Sequence, residues 1–144
     1  MHWKSWQETY PGKVDQRYLA ALSPERCEEI AYKRFDNTII AKDGDRVIGF
    51  ADYGEYRNNE LPDTGEIFAL YVLAEYYGHG VGKALMLAAL GKLAFSQVAV
   101  WVLKGNDRAI RFYEKCGFRF DGCAEDIILG SPVTELRMIL KNRP

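Results

Sequence analysis

Three glycines within five residues, Gly78, Gly80 and Gly82, separate a strand-like run at 65–73 from an apolar run of helical length at 83–95. A second apolar run, 97–103, follows at once without alternation, the mark of a strand covered on both faces. Strand, glycine loop, helix and strand make a βαβ unit. A chain that crosses over through a helix re-enters the sheet in its original direction. The two strands are therefore expected to be parallel, with a right-handed crossover.

The flanking segments read as antiparallel additions. Residues 38–42 and 46–53 enclose Asp43-Gly44-Asp45, a hairpin in which Gly44 supplies the positive φ, and 58–63 is a polar loop. Asn106 reads as the cap of a second short helix whose apolar face is Ala109, Phe112, Tyr113 and Cys116, ended by Gly117. Residues 118–123 and 133–141 read as a closing strand pair. Upstream, Trp3, Trp6 and Tyr10 stand at helical spacing before Pro11-Gly12, a short helix is expected over 15–22, and Ser23-Pro24 opens another to about residue 35. The order α, α, ββ, βαβ, α, ββ predicts an α/β fold with a mixed sheet. The helix at 83–95 is expected to be largely buried. With 144 residues, no repeat and no linker, residues 1–144 form a single domain.

Composition narrows the function. A net charge of −1 provides no overall field for nucleic acid or an anionic membrane. Cys27, Cys116 and Cys123 are odd in number and lack C-x-x-C spacing, which argues against a disulfide framework and a metal site and for a reducing cytoplasm. No apolar run reaches the roughly 18 residues of a membrane span, and no signal peptide opens the chain.

The glycine loop lies where a strand ends and a helix begins. Glycines let backbone N–H groups converge without side-chain collision, and the helix end adds positive potential, so the loop reads as an anion site, above all for a diphosphate. The plainer reading is a flexible turn entering a packed helix. A Walker loop would need glycine at Tyr77, and a dinucleotide fingerprint starting at Gly78 would need one at Lys83.

These residues resemble the GNAT family of N-acetyltransferases. Its pyrophosphate loop, Arg/Gln-x-x-Gly-x-Gly/Ala, falls on Tyr77, Gly80 and Gly82; the glycines match and Tyr77 departs. The run Asn106-Asp-Arg-Ala109-Ile-Arg-Phe112-Tyr113-Glu-Lys-Cys-Gly117-Phe118 is similar to the family's Asn-x-x-Ala-x-x-x-Tyr-Glu-x-x-Gly-Phe segment. Ser5-Trp6 through Tyr10 and Gly12 resemble its first-helix region. Members usually begin with a strand before that helix, and this chain opens inside it. An exposed sheet edge is expected there, with a tendency to form a homodimer.

The resemblance implies a mixed, mostly antiparallel sheet with a central parallel strand pair that splays apart, flanked by helices. It implies acetyl-CoA as co-substrate and no metal, with transfer of acetyl to the primary amine of a small molecule or protein. The backbone of Leu70, Tyr71 and Val72 would contact the pantetheine arm, and Gly78, His79, Gly80, Val81, Gly82 and Lys83 would wrap the diphosphate. Asn106 would touch the pantetheine, a role compatible with plain capping. Tyr113 would protonate the departing thiolate, uphill by ~2 kcal/mol for a phenol near pKa 10; by spacing alone it is a core tyrosine. An acceptor ammonium must lose a proton, at ~4.6 kcal/mol for pH 7. Glu66 reads equally as the general base and as surface charge, with Asp52 and Glu55 as further options. Some members carry a glutamate where Trp101 stands. His79 faces phosphate or solvent. Lys104, Arg108, Arg111 and Lys115 form one helical face, either solvated or in part touching a coenzyme phosphate. A sensor that binds acetyl-CoA without turnover is the alternative function.

Overall fold

The computed structural model describes residues 37–141. The helices expected at the start of the chain and over 15–22 and 23–35, and the question of a first strand, lie outside the described residues.

β1 (Thr38–Asp43) and β2 (Arg46–Glu55) form the expected hairpin, with Gly44 at φ 61° in its turn. β3 (Thr64–Val72) pairs antiparallel with β2. A single 3-10 turn (Ala74–Tyr76) and the glycine loop lead into α1 (Val81–Lys92), and β4 (Gln97–Leu103) returns parallel to β3. α2 (Asp107–Lys115) then precedes the hairpin of β5 (Arg119–Leu129) and β6 (Ser131–Leu140). The six strands lie in the order β1-β2-β3-β4-β6-β5, and β3–β4 is the one parallel pair among them.

That parallel ladder is short. It runs from Thr64–Gln97 to Ile67–Val100 and stops, although β3 continues to Val72 and β4 to Leu103. At the point of separation β3 carries a bulge. Asp52 pairs with Ala69 and Tyr53 with Ile67, which makes Phe68 the extra residue of the bulge. A bulge bends its strand and increases its twist, so β3 turns away from β4 while staying on β2. β4 meanwhile stays on β6 through Leu103–Glu135. The result is a wedge between two strands, each held from behind.

Both helices pack against one sheet face. Leu85, Met86 and Ala89 of α1, with Leu93 beyond it, join Val98, Val100 and Val102 of β4, Met138 of β6, Tyr113 of α2 and Phe118 in one core. The opposite face carries a smaller group, Tyr56, Ala99 and Ile139. β4 is covered on both faces, as its unbroken apolar run requires.

Two expectations need correction. α1 is not largely buried: it buries a single face, and Leu87 on the other is 60% exposed. Its leucines and alanines reflect helix preference as much as core packing. β5 is also longer than expected. Gly122, at φ 86°, sits in a bulge between the pairs Phe120–Met138 and Ala124–Leu136, and the strand then continues to Leu129. The expected strand ends at residue 123 because this edge strand is largely exposed and shows no sustained alternation.

Gly49 on β2 tests the packing behind the wedge. A Cβ there would lie 2.9 Å from the Tyr71 carbonyl oxygen and 3.1 Å from Leu85 Cδ1. The carbonyl belongs to the β2–β3 ladder and cannot withdraw. Gly49→Ala is expected to destabilise the domain by about 1–3 kcal/mol, read as a melting temperature lower by roughly 3–10 °C.

Candidate active site

The wall of the wedge on the β3 side is backbone. Leu73 N–H donates to the Ile48 carbonyl (2.9 Å), so alternation along an extended strand turns the polar groups of Tyr71 toward β2 and those of Leu70 and Val72 toward the space β4 has left. Their side chains pack on the helix-covered core. Tyr71 is held in place by β2 and by Phe50, whose ring centroid lies 5.4 Å away.

Beyond Val72 the chain is braced before it reaches the glycine loop. Tyr76 O–H donates to Asp43 (2.6 Å) and Arg46 pairs with Glu75 (2.6 Å), so the β1–β2 turn holds the 3-10 turn. The hydrogen bond to Asp43 holds the Tyr76 phenol above its ordinary pKa. Gly78 and Gly80 then take φ 78° and 81°, values a side chain strongly disfavours. Gly80 is the N-cap of α1, and the first bond of the helix runs from Ala84 N–H to its carbonyl (3.0 Å). The N–H groups of Val81, Gly82 and Lys83 precede that bond and point out of the helix end. No acidic side chain stands in the first turn to neutralise them, and His79 and Lys83 are exposed beside them. The helix end therefore carries positive potential and three donors. Gly82 serves packing rather than loop shape. A Cβ there would meet Phe112 Cε1 at 3.1 Å, so its bareness lets α2 lie against the start of α1.

α2 carries the other two expected site residues. Asn106 occupies its N-cap, yet the side chain makes no capping bond, which corrects the plain-cap reading. The residue is only 6% exposed; its N–H donates to Leu103 and its carbonyl accepts from Ile110, both at 3.0 Å. The side-chain amide is thus placed at the end of β4 by the backbone alone. Tyr113 is buried edge-on between Phe112 (5.4 Å between centroids) and Phe118 (5.8 Å), within the core. The helix stops behind it at Gly117, φ 102°, where Phe118 N–H reaches the Tyr113 carbonyl and Gly117 N–H that of Glu114.

Glu66 lies at the closed end of the wedge, one residue before the last parallel pair, on the sheet face opposite the helices. It is fully buried rather than a surface charge. Its carboxylate accepts from Arg57 Nε (3.1 Å to each oxygen), from Arg57 Nη2, and from the Arg57 backbone N–H (3.2 Å). Burial would lower the Arg57 pKa, but the hydrogen bond to Glu66 together with the negative charge of Glu66 and Glu135 outweighs it, and the guanidinium stays charged. Arg57 also lies over Trp101 (5.2 Å to the ring centroid). Arg137 approaches that ring at 5.7 Å and binds Asp121 (2.6 Å) and the Tyr56 hydroxyl (3.1 Å). Burial likewise works against its charge and these bonds raise its pKa above the ordinary value. The Trp101 indole N–H is buried without a hydrogen-bond partner among the described residues. Of the further candidates, Asp52 is buried and accepts from the Thr38 hydroxyl, while Glu55 is exposed at the end of β2.

Arg57 and Arg137 are not evident as site residues from the sequence. Arg57 sits beside a polar loop, where a cation attracts no notice. Arg137 does leave a trace, as a charge among the apolar residues of the closing strand.

The sequence pattern of the Acetyltransferase (GNAT) family matches residues 1–118. This chain belongs to the GNAT family. The uncharacterised N-acetyltransferase YuaI of Bacillus subtilis is 32% identical over 119 residues, covering 79% of this chain and 68% of its own length. The probable N-acetyltransferase Rv2775 of Mycobacterium tuberculosis is 32% identical over 128 residues, covering 85% and 72%. Among solved structures, the PaiA N-acetyltransferase of Thermoplasma acidophilum, in complex with coenzyme A, shares the fold with a TM-score of 0.68 at 23% identity, over 97% of this chain and 87% of that one. The chain therefore stands among the acetyl-CoA-dependent GNAT N-acetyltransferases.

The loop geometry gives a direct check. A Cβ at Gly80 meets no neighbouring atom, so any effect of Gly80→Ala comes from φ 81° alone. The variant is expected to lose about 1–2 kcal/mol of stability in denaturant titration and to bind coenzyme A more weakly in calorimetry, because the three amides lose their alignment.

Proposed function

We propose that the chain transfers acetyl from acetyl-CoA to a primary amine by direct attack in the wedge between β3 and β4. The observation that carries this reading is the wedge itself: a four-pair parallel ladder closes one end, and the amide-lined start of α1 stands at the other.

In this reading the N–H groups of Val81, Gly82 and Lys83, with the loop from Gly78 through His79 to Gly80, bind the diphosphate. The backbone of Leu70 and Val72 binds the pantetheine arm, Tyr71 keeps that stretch paired to β2, and the Asn106 amide contacts the arm from the opposite wall. A strand N–H polarises the thioester carbonyl. The amine nitrogen forms its bond to the carbonyl carbon as the carbon–sulfur bond breaks. Tyr113 gives its proton to the departing thiolate, and Glu66 takes the proton released by the amine. For Glu66 to accept that proton, the Arg57 guanidinium must first move off at least one carboxylate oxygen.

The clamp of Arg57 on Glu66 also favours a second reading, a domain that binds acetyl-CoA without turnover. A cytoplasmic setting suits the free thiols of Cys116 and Cys123. Among the described residues no helix is long and apolar enough to cross a membrane. Association across a sheet edge into a homodimer belongs to the proposal as well, and sedimentation at several concentrations reads it.

Release of free thiol from acetyl-CoA, measured with polyamines, amino acids and peptides, separates the two readings. Accelerated release with any amine supports the transferase, whereas thermal stabilisation by acetyl-CoA with no release on any amine supports the binding domain. With an active amine in hand, Tyr113→Phe is expected to lower kcat about 100-fold while the Kd for coenzyme A stays within about twofold. Glu66→Gln is expected to lower kcat and flatten its rise with pH; unchanged profiles would remove Glu66 as the base.

A further inference from the structure

One cation beside the glycine loop is held in a way the acetyl-CoA reading does not use. The Arg108 guanidinium carbon lies 3.4 Å from the centroid of the Tyr77 ring. That distance is van der Waals contact with the ring face, since an approach from the edge would place the carbon about 5 Å or more from the centroid. Tyr77 is the residue that opens the loop, and its N–H is tied to the Ala74 carbonyl at 3.0 Å, which fixes the backbone from which the ring projects. One turn further along α2, Phe112 packs against the bare backbone of Gly82. Two successive turns of α2 thus meet the two ends of the loop, Arg108 at Tyr77 and Phe112 at Gly82.

Arg108 is exposed, and among the described residues no carboxylate pairs with it. Arg57, Arg46 and Arg137 each find an acid. A guanidinium stacked flat on an aromatic ring keeps all its N–H donors at its rim, available in the plane of the stack. Here the stack stands at Tyr77, the first residue of the loop that leads to the three amides of the α1 end.

We infer that Arg108, laid on the Tyr77 ring, is a diphosphate-binding residue of this chain. Tyr77 is its positioning residue, supplying no hydrogen bond to the ligand but fixing where the charge stands. The inference rests on the acetyl-CoA reading and extends it to a residue pair from two elements. It also accounts for Tyr77 at the loop position where the resemblance leads one to expect arginine or glutamine: the cation comes from α2 instead, and the tyrosine carries it.

The test is calorimetric titration of the full chain with coenzyme A and 3′-dephospho-coenzyme A, and titration with pantetheine followed by NMR. Arg108→Ala is expected to weaken both nucleotide-bearing ligands about tenfold and to leave pantetheine unchanged. Tyr77→Leu should reproduce part of that loss, and Tyr77→Arg in the Arg108→Ala background should restore affinity to within about threefold, which a purely structural role for Arg108 would not allow. Affinity for coenzyme A within twofold of the wild type in Arg108→Ala overturns the inference and leaves the acetyl-CoA reading standing. A loss that disappears with 3′-dephospho-coenzyme A overturns the diphosphate assignment, and an equal loss for pantetheine overturns any phosphate role. Failure of the wild type to bind coenzyme A overturns the acetyl-CoA reading and this inference with it.

Discussion

The parallel ladder between β3 and β4 ends after Ile67–Val100, and the placement of Leu70 and Val72 beside an open gap follows from that ending. A parallel pair inside a sheet is ordinarily continuous, because each strand would otherwise leave backbone groups without partners. Here both strands go on, and their backbones no longer pair with each other across the gap. The Phe68 bulge makes the divergence compatible with β3 keeping its antiparallel partner, so the strand changes direction without losing its support.

The gap is useful because its ends differ chemically. At the closed end, the buried Glu66 carboxylate is paired with Arg57, whose side chain is 36% exposed and lies against Trp101. At the open end, the start of α1 presents amides with no acid among them. A thioester with an anionic tail and a neutral acyl head matches that polarity along its length. The burial of Glu66 also means that its charge is meaningful only with its partner: an ion removed from water is stable through its hydrogen bonds, and any chemistry at Glu66 is chemistry of the pair.

Much of this was legible in the residues, for identifiable reasons. Glycine at 78, 80 and 82 has few alternative explanations between a strand and a helix, and the unbroken apolar run of β4 betrays burial on both sides. The bulge was not legible, since Phe68 is one more apolar residue in a strand-like run, and the splay entered only through the family resemblance. Neither was the Arg57–Glu66 pair, whose members are nine positions apart across a polar loop. Arg108 was visible as one of four cations on a helical face; that it alone lies on Tyr77 depends on how α2 docks, which no periodicity reports. The true extent of β5 escaped because an edge strand wet on both faces has no pattern to read.

The two walls of the wedge have separate foundations. β3 is anchored by β2, whose far neighbour is β1, and β4 by β6, whose far neighbour is β5. The backbones of the two sides pair along four residue pairs. They behave as two jaws on one short hinge, each mounted on its own hairpin. A change in one hairpin therefore reaches its own wall first, so a scaffold of this kind can have one wall re-cut while the pairing behind the other is kept.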